Sequence, residues 1–172
     1  MVANNARCEG LTDSKSKFYY QTPNGTSSAP IVRRYYTVRT IPVVHPDARV
    51  DSRLDPRLCR AATIAQERAN ARSVARCWRY VKEALLASGA VNSYPKTALA
   101  RQAGDELVRS YGFKRLAVRD PYQAPIGAVL VYGSGRSAGH VEIRTARGFV
   151  SDFRTPTPSH RPLIGVYAKT SS

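Results

Sequence analysis

One cysteine in this sequence lies in a position suited to nucleophilic chemistry. Cys77 is near the start of a strongly helical segment, residues 75–86, where the positive end of the helix dipole favours a thiolate. Its backbone N–H is then available as a donor to an oxyanion formed at an attacked carbonyl. The neighbouring cations Arg76 and Arg79 favour the thiolate further. The same spacing is also typical of a small apolar core residue, so Cys77 alone does not distinguish catalysis from packing.

A thiolate nucleophile needs a base, usually histidine, and a polar group that holds the imidazole. The chain has three histidines, His45, His140 and His160. His45 and His160 lie in proline-flanked segments typical of surface loops, whereas His140 follows Gly139 and begins a predicted strand. His140 is therefore the predicted base for Cys77.

The hairpin after His140 predicts which polar side chain lies beside the imidazole. A three-residue loop at residues 145–147, with Gly148 in the left-handed position, places His140 opposite Asp152. This register separates a polar face from a mostly apolar one, whereas a two- or four-residue loop mixes them. We therefore predict that Asp152 orients His140. Taken alone, Asp152 is more typical of a hairpin carboxylate paired with a surface arginine such as Arg144.

Helices and then strands are predicted around these residues. The predicted helices cover residues 61–72, 76–88 and 93–111, of which the second is closed by Gly89 and the third by Gly112. The candidate strands, separated by turns rich in glycine and proline, are residues 113–118, 126–132, 140–144, 149–153 and 163–169. This order predicts an α+β fold in which N-terminal helices pack on an antiparallel sheet of about five strands.

The first part of the chain has a different composition, rich in proline, serine, threonine, asparagine and glycine. Within it, residues 22–30 are typical of a loop or turn, and residues 31–41 of one strand ended by Pro42. We predict an irregular N-terminal extension over residues 1–60, which is either an arm on the main domain or a docking segment for a partner. The catalytic domain is predicted over residues 61–172.

The charge of the chain predicts an anionic partner. Its 27 basic and 12 acidic residues give a net charge of +15, for which nucleic acid, anionic lipid and bacterial cell wall all qualify. The basic residues are scattered singly, and there is no zinc-finger spacing or basic zipper, so a nucleic-acid role rests on charge alone. No apolar run approaches the roughly 18 to 20 residues that span a bilayer, so no membrane span is predicted.

The three cysteines, Cys8, Cys59 and Cys77, include no Cys-x-x-Cys pair, so no four-ligand zinc site is predicted. In an oxidising compartment Cys8 and Cys59 are able to pair and leave Cys77 free. The first eight residues lack the apolar core of a secretory signal.

Cys77, His140 and Asp152 taken together indicate a function more specifically than any one of them alone. A cysteine opening a helix, a strand beginning Gly139-His140 and a polar residue on the next strand resemble the NlpC/P60 and CHAP superfamily of papain-like cysteine peptidases and amidases. This superfamily cuts bacterial cell-wall peptide. The resemblance covers about residues 73–169 and extends to small wall-degrading amidase effectors and phage lysis enzymes. The matching segments are residues 77–81, 124–132, 139–143 and 149–153.

The resemblance implies a papain-like core and a peptidoglycan hydrolase that cuts an amide bond of the stem peptide or crosslink. It implies that Cys77 attacks the carbonyl and forms a thioester, that His140 moves the proton, and that Asp152 orients the imidazole. Asp152 stands where the family more often has His, Asn, Gln or Glu. No metal or organic cofactor is needed. The residues expected to contact the substrate are Trp78, Arg76 and Glu142.

The expected partner is peptidoglycan, together with an immunity or delivery protein, and the wall is reached by lysis, injection or non-classical secretion. Two alternatives remain open. One is a cysteine acyltransferase or isopeptidase that acts on protein substrates. The other is a basic nucleic-acid or virion-associated binding protein in which Cys77 and His140 are structural.

Overall fold

The computed structural model describes residues 17–22, 24–30 and 48–171. They belong to two compact units, one within Met1–Pro42 and the other within Val43–Ser172. The predicted strand over residues 31–41 lies outside the described residues, as do His45 and Cys8.

The first unit contains a β-hairpin. Strand β1 (Lys17–Thr22) pairs antiparallel with β2 (Gly25–Pro30), and the pair of Thr22 with Gly25 closes a two-residue connection. The prediction of a loop over residues 22–30 was therefore wrong for most of that segment. Its turn-forming residues belong to the hairpin connection, where Gly25 has φ +118°.

Three α-helices form the helical part of the second unit: α1 (Pro56–Arg68), α2 (Cys77–Ala87) and α3 (Ala103–Tyr111). Helix α1 begins five residues before its predicted start, because Asp55 caps it and Pro56 is its first residue. Helix α2 has nearly its predicted bounds and is followed by Gly89 with φ +77°.

Helix α3 begins about ten residues later than predicted. The carboxylate of Glu106 accepts hydrogen bonds from the backbone N–H groups of Lys96 and Thr97, at 2.5 and 3.0 Å, and so holds the preceding segment as a loop. A short 3-10 turn at Ala100–Gln102 leads into the helix. The predicted C-terminal end at Gly112 is confirmed, with φ +73° and Phe113 N–H bonded to the carbonyl of Leu107.

The second unit contains a six-stranded sheet in which all the pairings are antiparallel. The order of the strands across the sheet is β3-β8-β4-β5-β6-β7. The α+β class with helices on an antiparallel sheet is confirmed, and the short β7 is the strand that sequence analysis did not predict. The strands are β3 (Lys114–Leu116), β4 (Val129–Tyr132), β5 (His140–Thr145), β6 (Gly148–Val150), β7 (Arg154–Thr155) and β8 (Leu163–Ala168).

The central strands β4 and β5 are buried on both faces. Helices α1 and α2 both pack on β5, and α3 packs on β8. The polar side chains of Glu142 and Arg144 are only 1% and 2% exposed, and their apolar neighbours Val141 and Ile143 are equally buried. At Gly104 in α3, a Cβ atom would lie 2.3 Å from the ring of Tyr167, so the helix approaches β8 closely there. None of the described helices is long and apolar enough to cross a bilayer.

The segment before α1 is bonded to this second unit. The N–H of Ala48 donates to the carbonyl of Ala146, and the N–H of Asp55 donates to the carbonyl of Lys169, at 3.0 and 2.8 Å. Leu54 also forms an isolated bridge with Thr170. Residues 48–55 thus contact one end of the sheet, where β5 and β8 finish, before the first helix begins.

Candidate active site

Cys77 is the first residue of α2, at the end of the helix where backbone N–H groups have no intrahelical carbonyl partner. Its half-buried side chain lies on the helix face that also carries the buried residues Val81, Ala84 and Leu85. That face packs against β5. The packing of α2 therefore fixes where the thiol lies relative to the strand that begins with His140.

The thiol of Cys77 is hydrogen-bonded to the imidazole of His140. The backbone N–H groups of Trp78 and Val141 also face the sulfur. One of these N–H groups comes from the helix and the other from the strand, so both elements that carry the reacting residues also stabilise negative charge on the sulfur. The predicted pair of Cys77 and His140 is brought together.

Gly139 positions the imidazole from the residue before it. It has φ +83°, a left-handed conformation that favours glycine. A Cβ atom at this position would lie 2.6 Å from the backbone nitrogen of Arg101 and 2.7 Å from the carbonyl oxygen of Tyr132. Both obstacles are backbone atoms, so only glycine lets the chain enter β5 at this point and place His140 against Cys77.

The register of the hairpin after His140 differs from the predicted one. Strand β5 pairs with β6 so that Ile143 lies opposite Val150 and Thr145 opposite Gly148, which leaves a two-residue turn. The prediction of a three-residue loop was wrong because it assumed that one face of the hairpin meets solvent. Both faces of β5 are buried, so sorting polar from apolar side chains carries no information about register here.

Buried Arg144 stabilises the observed turn. Its Nη1 donates to the carbonyl oxygens of Thr145 and Gly148, at 3.1 and 2.7 Å, and its guanidinium lies 4.6 Å from the ring centroid of Phe149. Arg144 therefore closes the hairpin from inside. Its contacts are with carbonyl groups and an aromatic ring, and no ion pair with Asp152 occurs among the described residues.

Glu142 is the carboxylate that contacts the imidazole. Its Oε2 lies 3.4 Å from Nε2 of His140, and its Oε1 accepts a hydrogen bond from the hydroxyl of Tyr132 at 2.6 Å. The N–H of Ser159 also points to Oε1, at 3.3 Å. Tyr132 lies directly opposite His140 in the β4–β5 pair, so all three side chains share one face of the sheet.

The pair of Cys77 and His140 favours the ionised state. Burial opposes a charge on each group, but mutual hydrogen bonding and charge attraction outweigh that cost. They lower the pKa of the Cys77 thiol, with help from the N–H groups of Val141 and Trp78. They raise the pKa of His140 to about 9, with help from the carboxylate of Glu142. Both shifts favour a thiolate and imidazolium pair over the neutral pair.

Tyr132 completes this chain of contacts. Burial, together with the adjacent Glu142 carboxylate, raises the pKa of its hydroxyl, so the group stays protonated and remains a donor to Glu142. The contact between Glu142 and the imidazole could have been anticipated from the sequence. Residues i and i+2 of a strand project from the same face, which places Glu142 beside His140 in any register.

Asp152 lies against the segment that leads into α2. Its fully buried carboxylate accepts hydrogen bonds from the N–H groups of Val74 and Arg76, at 2.6 and 3.2 Å, and from the hydroxyl of Ser73 at 3.1 Å. Ser151 donates to the other oxygen at 3.1 Å. These contacts, and not the imidazole, use its oxygens, so the geometric basis for Asp152 as the orienting group is lost.

The segment that Asp152 holds is bent sharply. Ala75 has φ +58°, a conformation that costs an alanine of order 1 kcal/mol. The backbone N–H and side-chain amide of Asn70 both donate to the carbonyl oxygen of Asp152 at 2.9 Å. Asp152 therefore ties the whole connection between α1 and α2 to the strand region and sets where α2 begins.

The remaining predicted site residues are separated from one another. Trp78 is 4% exposed and belongs to the core, where its Nε1 donates to the carbonyl of Thr97 at 3.1 Å and the Nζ of Lys82 lies 5.1 Å from its ring centroid. It has no face available for substrate. The side chain of Arg76 is exposed next to Cys77. Glu142 is too deeply buried for direct substrate binding and faces His140 instead.

An open cavity of about 350 Å³ lies beside His140. Its walls come from the segment before α2, from β5 and from the segment of residues 153–161. The cavity is lined by His140, and Cys77 is not among its lining residues. Within the part of the chain that the structure describes, no group of three or more His, Cys, Asp or Glu side chains is arranged to hold a metal ion.

Solved structures with a similar fold include a chain of the native type VI effector–immunity complex Tae3–Tai3 from Ralstonia pickettii. The match has a TM-score of 0.54 and 25% sequence identity, and it covers 66% of this chain and 98% of that one. The selenomethionine form of the same complex matches with a TM-score of 0.49 and 27% identity, over 64% and 97% of the two chains. Neither a protein-family model nor a curated protein matches the chain.

Proposed function

We propose that this protein is a cysteine hydrolase of peptidoglycan, which cuts an amide bond in the stem peptide or crosslink and has a papain-like core. The observation that carries this proposal is the contact between the Cys77 thiol, at the first residue of a helix, and His140, whose other side faces Glu142. Nucleophile, base and orienting carboxylate in this order are the components of a cysteine acyl-transfer site.

The first half of the reaction forms a thioester. The thiolate of Cys77 attacks the amide carbonyl, and the resulting oxyanion is stabilised by the N–H of Cys77 at the start of α2. As the C–N bond breaks, the imidazolium of His140 gives its proton to the leaving amine. Because Nε2 faces Glu142, the proton exchanged with Cys77 and the substrate is carried by Nδ1.

The second half consumes water. The neutral imidazole of His140 removes a proton from a water molecule, whose oxygen attacks the thioester carbonyl. The C–S bond then breaks and releases the carboxylic acid product, and the thiolate and imidazolium pair is restored. Glu142 holds the ring in one orientation through both halves and stabilises the imidazolium, and Tyr132 in turn holds Glu142.

Peptidoglycan is the proposed substrate for three reasons. The sequence resembles cell-wall peptidases and amidases, a chain of a type VI effector–immunity complex shares the fold, and the net charge of +15 suits a polyanionic wall. An effector role fits delivery by injection into the compartment that holds the wall. It also fits an immunity protein as a partner.

The test is digestion of purified sacculi by the wild-type protein, followed by mass spectrometry of the soluble fragments. We expect new pairs of amine and carboxylate termini at one peptide bond, and the identity of that bond assigns the specificity. Sacculi that release no new termini, together with salt-dependent binding of DNA, would instead favour a nucleic-acid-binding protein. Cleavage of protein amides alone would favour an isopeptidase or acyltransferase.

A further inference from the structure

The cavity beside His140 has an unusual balance of charge. Among the described residues that line it, the only carboxylate is that of Glu142, which is buried and already bonded to Tyr132 and facing His140. Two further basic side chains, His160 and Arg161, line the same cavity. The space left for a substrate therefore has a cationic wall and no carboxylate free to repel an anion.

Arg161 is the fixed cation of this wall. Its Nη1 donates to the carbonyl oxygen of Gly139, the residue before His140, at 3.0 Å. That bond places the guanidinium one residue from the base. Of its five N–H donors only one is used in this way, and within residues 48–171 no carboxylate forms an ion pair with it. The charge and several donors remain for a ligand.

The rest of the wall is rich in hydroxyl groups. Those of Thr155, Thr157 and Ser159 line the cavity on the segment that leads to Arg161. A short, polar peptide with several amide groups can hydrogen-bond along such a wall, whereas a large apolar side chain gains little there. Together with the cation, this lining suits an anionic peptide.

We propose that Arg161 forms a subsite for a carboxylate group of the substrate, next to the bond that is cut. This inference rests on the proposed function and narrows it to peptides that carry a free carboxylate beside the scissile amide. In a stem peptide two groups have this chemistry, the α-carboxylate of the γ-linked glutamate and the carboxylate of the diamino acid. A guanidinium recognises either one through paired N–H···O bonds.

The test compares three synthetic stem peptides. One has both carboxylates free, one has the glutamate α-carboxylate converted to an amide, and one has the diamino-acid carboxylate converted to an amide. The value of kcat/KM is measured for each with the wild type, with Arg161→Gln and with Arg161→Lys. Arg147→Gln is the matched control, because it removes one exposed positive charge at the β5–β6 turn. Thermal melting of each variant checks that it is folded.

We expect wild type to lose about tenfold in kcat/KM on one of the two amidated peptides, which identifies the carboxylate bound. Arg161→Gln is expected to lower activity on the free peptide by about the same factor and to abolish the preference. Arg161→Lys should keep part of the preference, and Arg147→Gln all of it.

Two results distinguish an error in the Arg161 subsite from an error in the proposed function. Equal cleavage of all three peptides by wild type, or an unchanged preference in Arg161→Gln, overturns the subsite and leaves the proposed function in place. Failure of wild type to cleave any of the three, when it also releases nothing from sacculi, overturns the proposed function and the subsite with it.

Discussion

At the scale of single residues, the reactivity of Cys77 depends on how its neighbours balance the cost of burying charge. A half-buried thiol without a cationic partner is harder to ionise, and this is the case at Cys59, which donates to the carbonyl of Ile126 and whose pKa is raised by burial. Cys77 is also partly buried, but the hydrogen bond and charge of His140 reverse the direction of the shift. The pKa values of the two described thiols are therefore shifted in opposite directions, toward the thiolate at Cys77 and away from it at Cys59.

This difference predicts the pH dependence of activity. Because the pKa of Cys77 is lowered, kcat/KM should rise on the acid side of the ordinary thiol range, as the ion pair forms. Because the pKa of His140 is raised to about 9, activity should fall only as pH rises through that value and the imidazolium loses its proton. A pH profile on a soluble peptide substrate measures both limbs. An alkaline limb near pH 6.5, the ordinary histidine value, would contradict the ion pair.

Replacement of Glu142 tests the orienting carboxylate. We expect Glu142→Gln to lower kcat by roughly 10²-fold and to move the alkaline limb to lower pH, because the imidazolium loses its neighbouring negative charge. Glu83→Gln is the control, since Glu83 forms an ion pair with Arg79 on the exposed side of α2. A shift of the alkaline limb of the pH profile is expected if Glu142 acts on the imidazole of His140, and is not expected if Glu142 only stabilises the fold. If Glu142→Gln leaves both kcat and the pH profile unchanged, Glu142 is not the orienting carboxylate.

The site was only partly predictable from the sequence. The contact between Cys77 and His140 was predicted because a helix start and a glycine-histidine strand start are local patterns. The role of Glu142 was missed because the hairpin register was inferred from polar and apolar alternation, which fails for a strand buried on both faces. Arg144 and Glu142 are polar residues buried by their specific partners, and such partners cannot be read from spacing alone.

At the scale of elements, the position of the nucleophile depends on the connection between α1 and α2. The N-cap residue Arg76 makes no side-chain cap hydrogen bond, and the carboxylate of Asp152, in the strand region, accepts the backbone N–H of Arg76 just before the helix begins. It accepts N–H bonds from two residues of a segment that contains the strained Ala75. Asp152 is therefore a positioning residue for Cys77.

Replacement of Asp152 by asparagine should destabilise the fold by about 2 to 3 kcal/mol, because charge-assisted hydrogen bonds to a buried carboxylate are lost. Burial opposes the charge of Asp152, but the hydrogen bonds from Arg76, Val74 and Ser151 outweigh it and lower the pKa of the carboxyl in the folded state. Its stabilisation is thus fully present above the ordinary carboxyl pKa near 4 and is lost as pH falls through the lowered value.

Urea unfolding from about pH 3 to 7 measures this effect. The difference in unfolding free energy between wild type and Asp152→Asn should be largest at neutral pH and shrink in acid. Asp51→Asn is the control, because Asp51 only pairs with exposed Arg53. A difference that is constant over this pH range would exclude the proposed contribution of the Asp152 charge.

Most elements of the second unit followed from local patterns, and each of the two misplaced helix starts has a physical cause. The start of α1 was missed because an Asp-Pro pair serves equally as a turn and as a helix cap with its first residue. The start of α3 was placed too early because Glu106 fixes the preceding residues as a loop through a contact between separate segments. Such tertiary contacts override local propensity.

At the scale of the whole molecule, the net charge of +15 is the property that would attract the proposed substrate, a large anionic cell wall. A positive surface raises the rate of encounter with a polyanion, and this attraction is screened by salt. The charge acts on long fragments of wall and much less on a short peptide that already occupies the cavity.

We therefore expect digestion of intact sacculi to slow several-fold as salt rises from about 0.05 to 0.5 M, while kcat on a short soluble peptide changes little. Turbidity of sacculi and peptide release are followed in parallel at each salt concentration. Equal salt dependence on both substrates would place the effect in the site itself, not in the surface charge.

Cys77 is the proposed nucleophile. The most direct test of this role compares two single substitutions in the digestion of purified sacculi. Cys77→Ala removes the thiol that contacts His140, and Cys59→Ala removes the half-buried thiol on α1. Both variants are checked for folding by circular dichroism, and the released fragments are counted by mass spectrometry. We predict that Cys77→Ala releases no new peptide termini while Cys59→Ala releases the same fragments as wild type. Release of the wild-type fragments by folded Cys77→Ala would contradict the account.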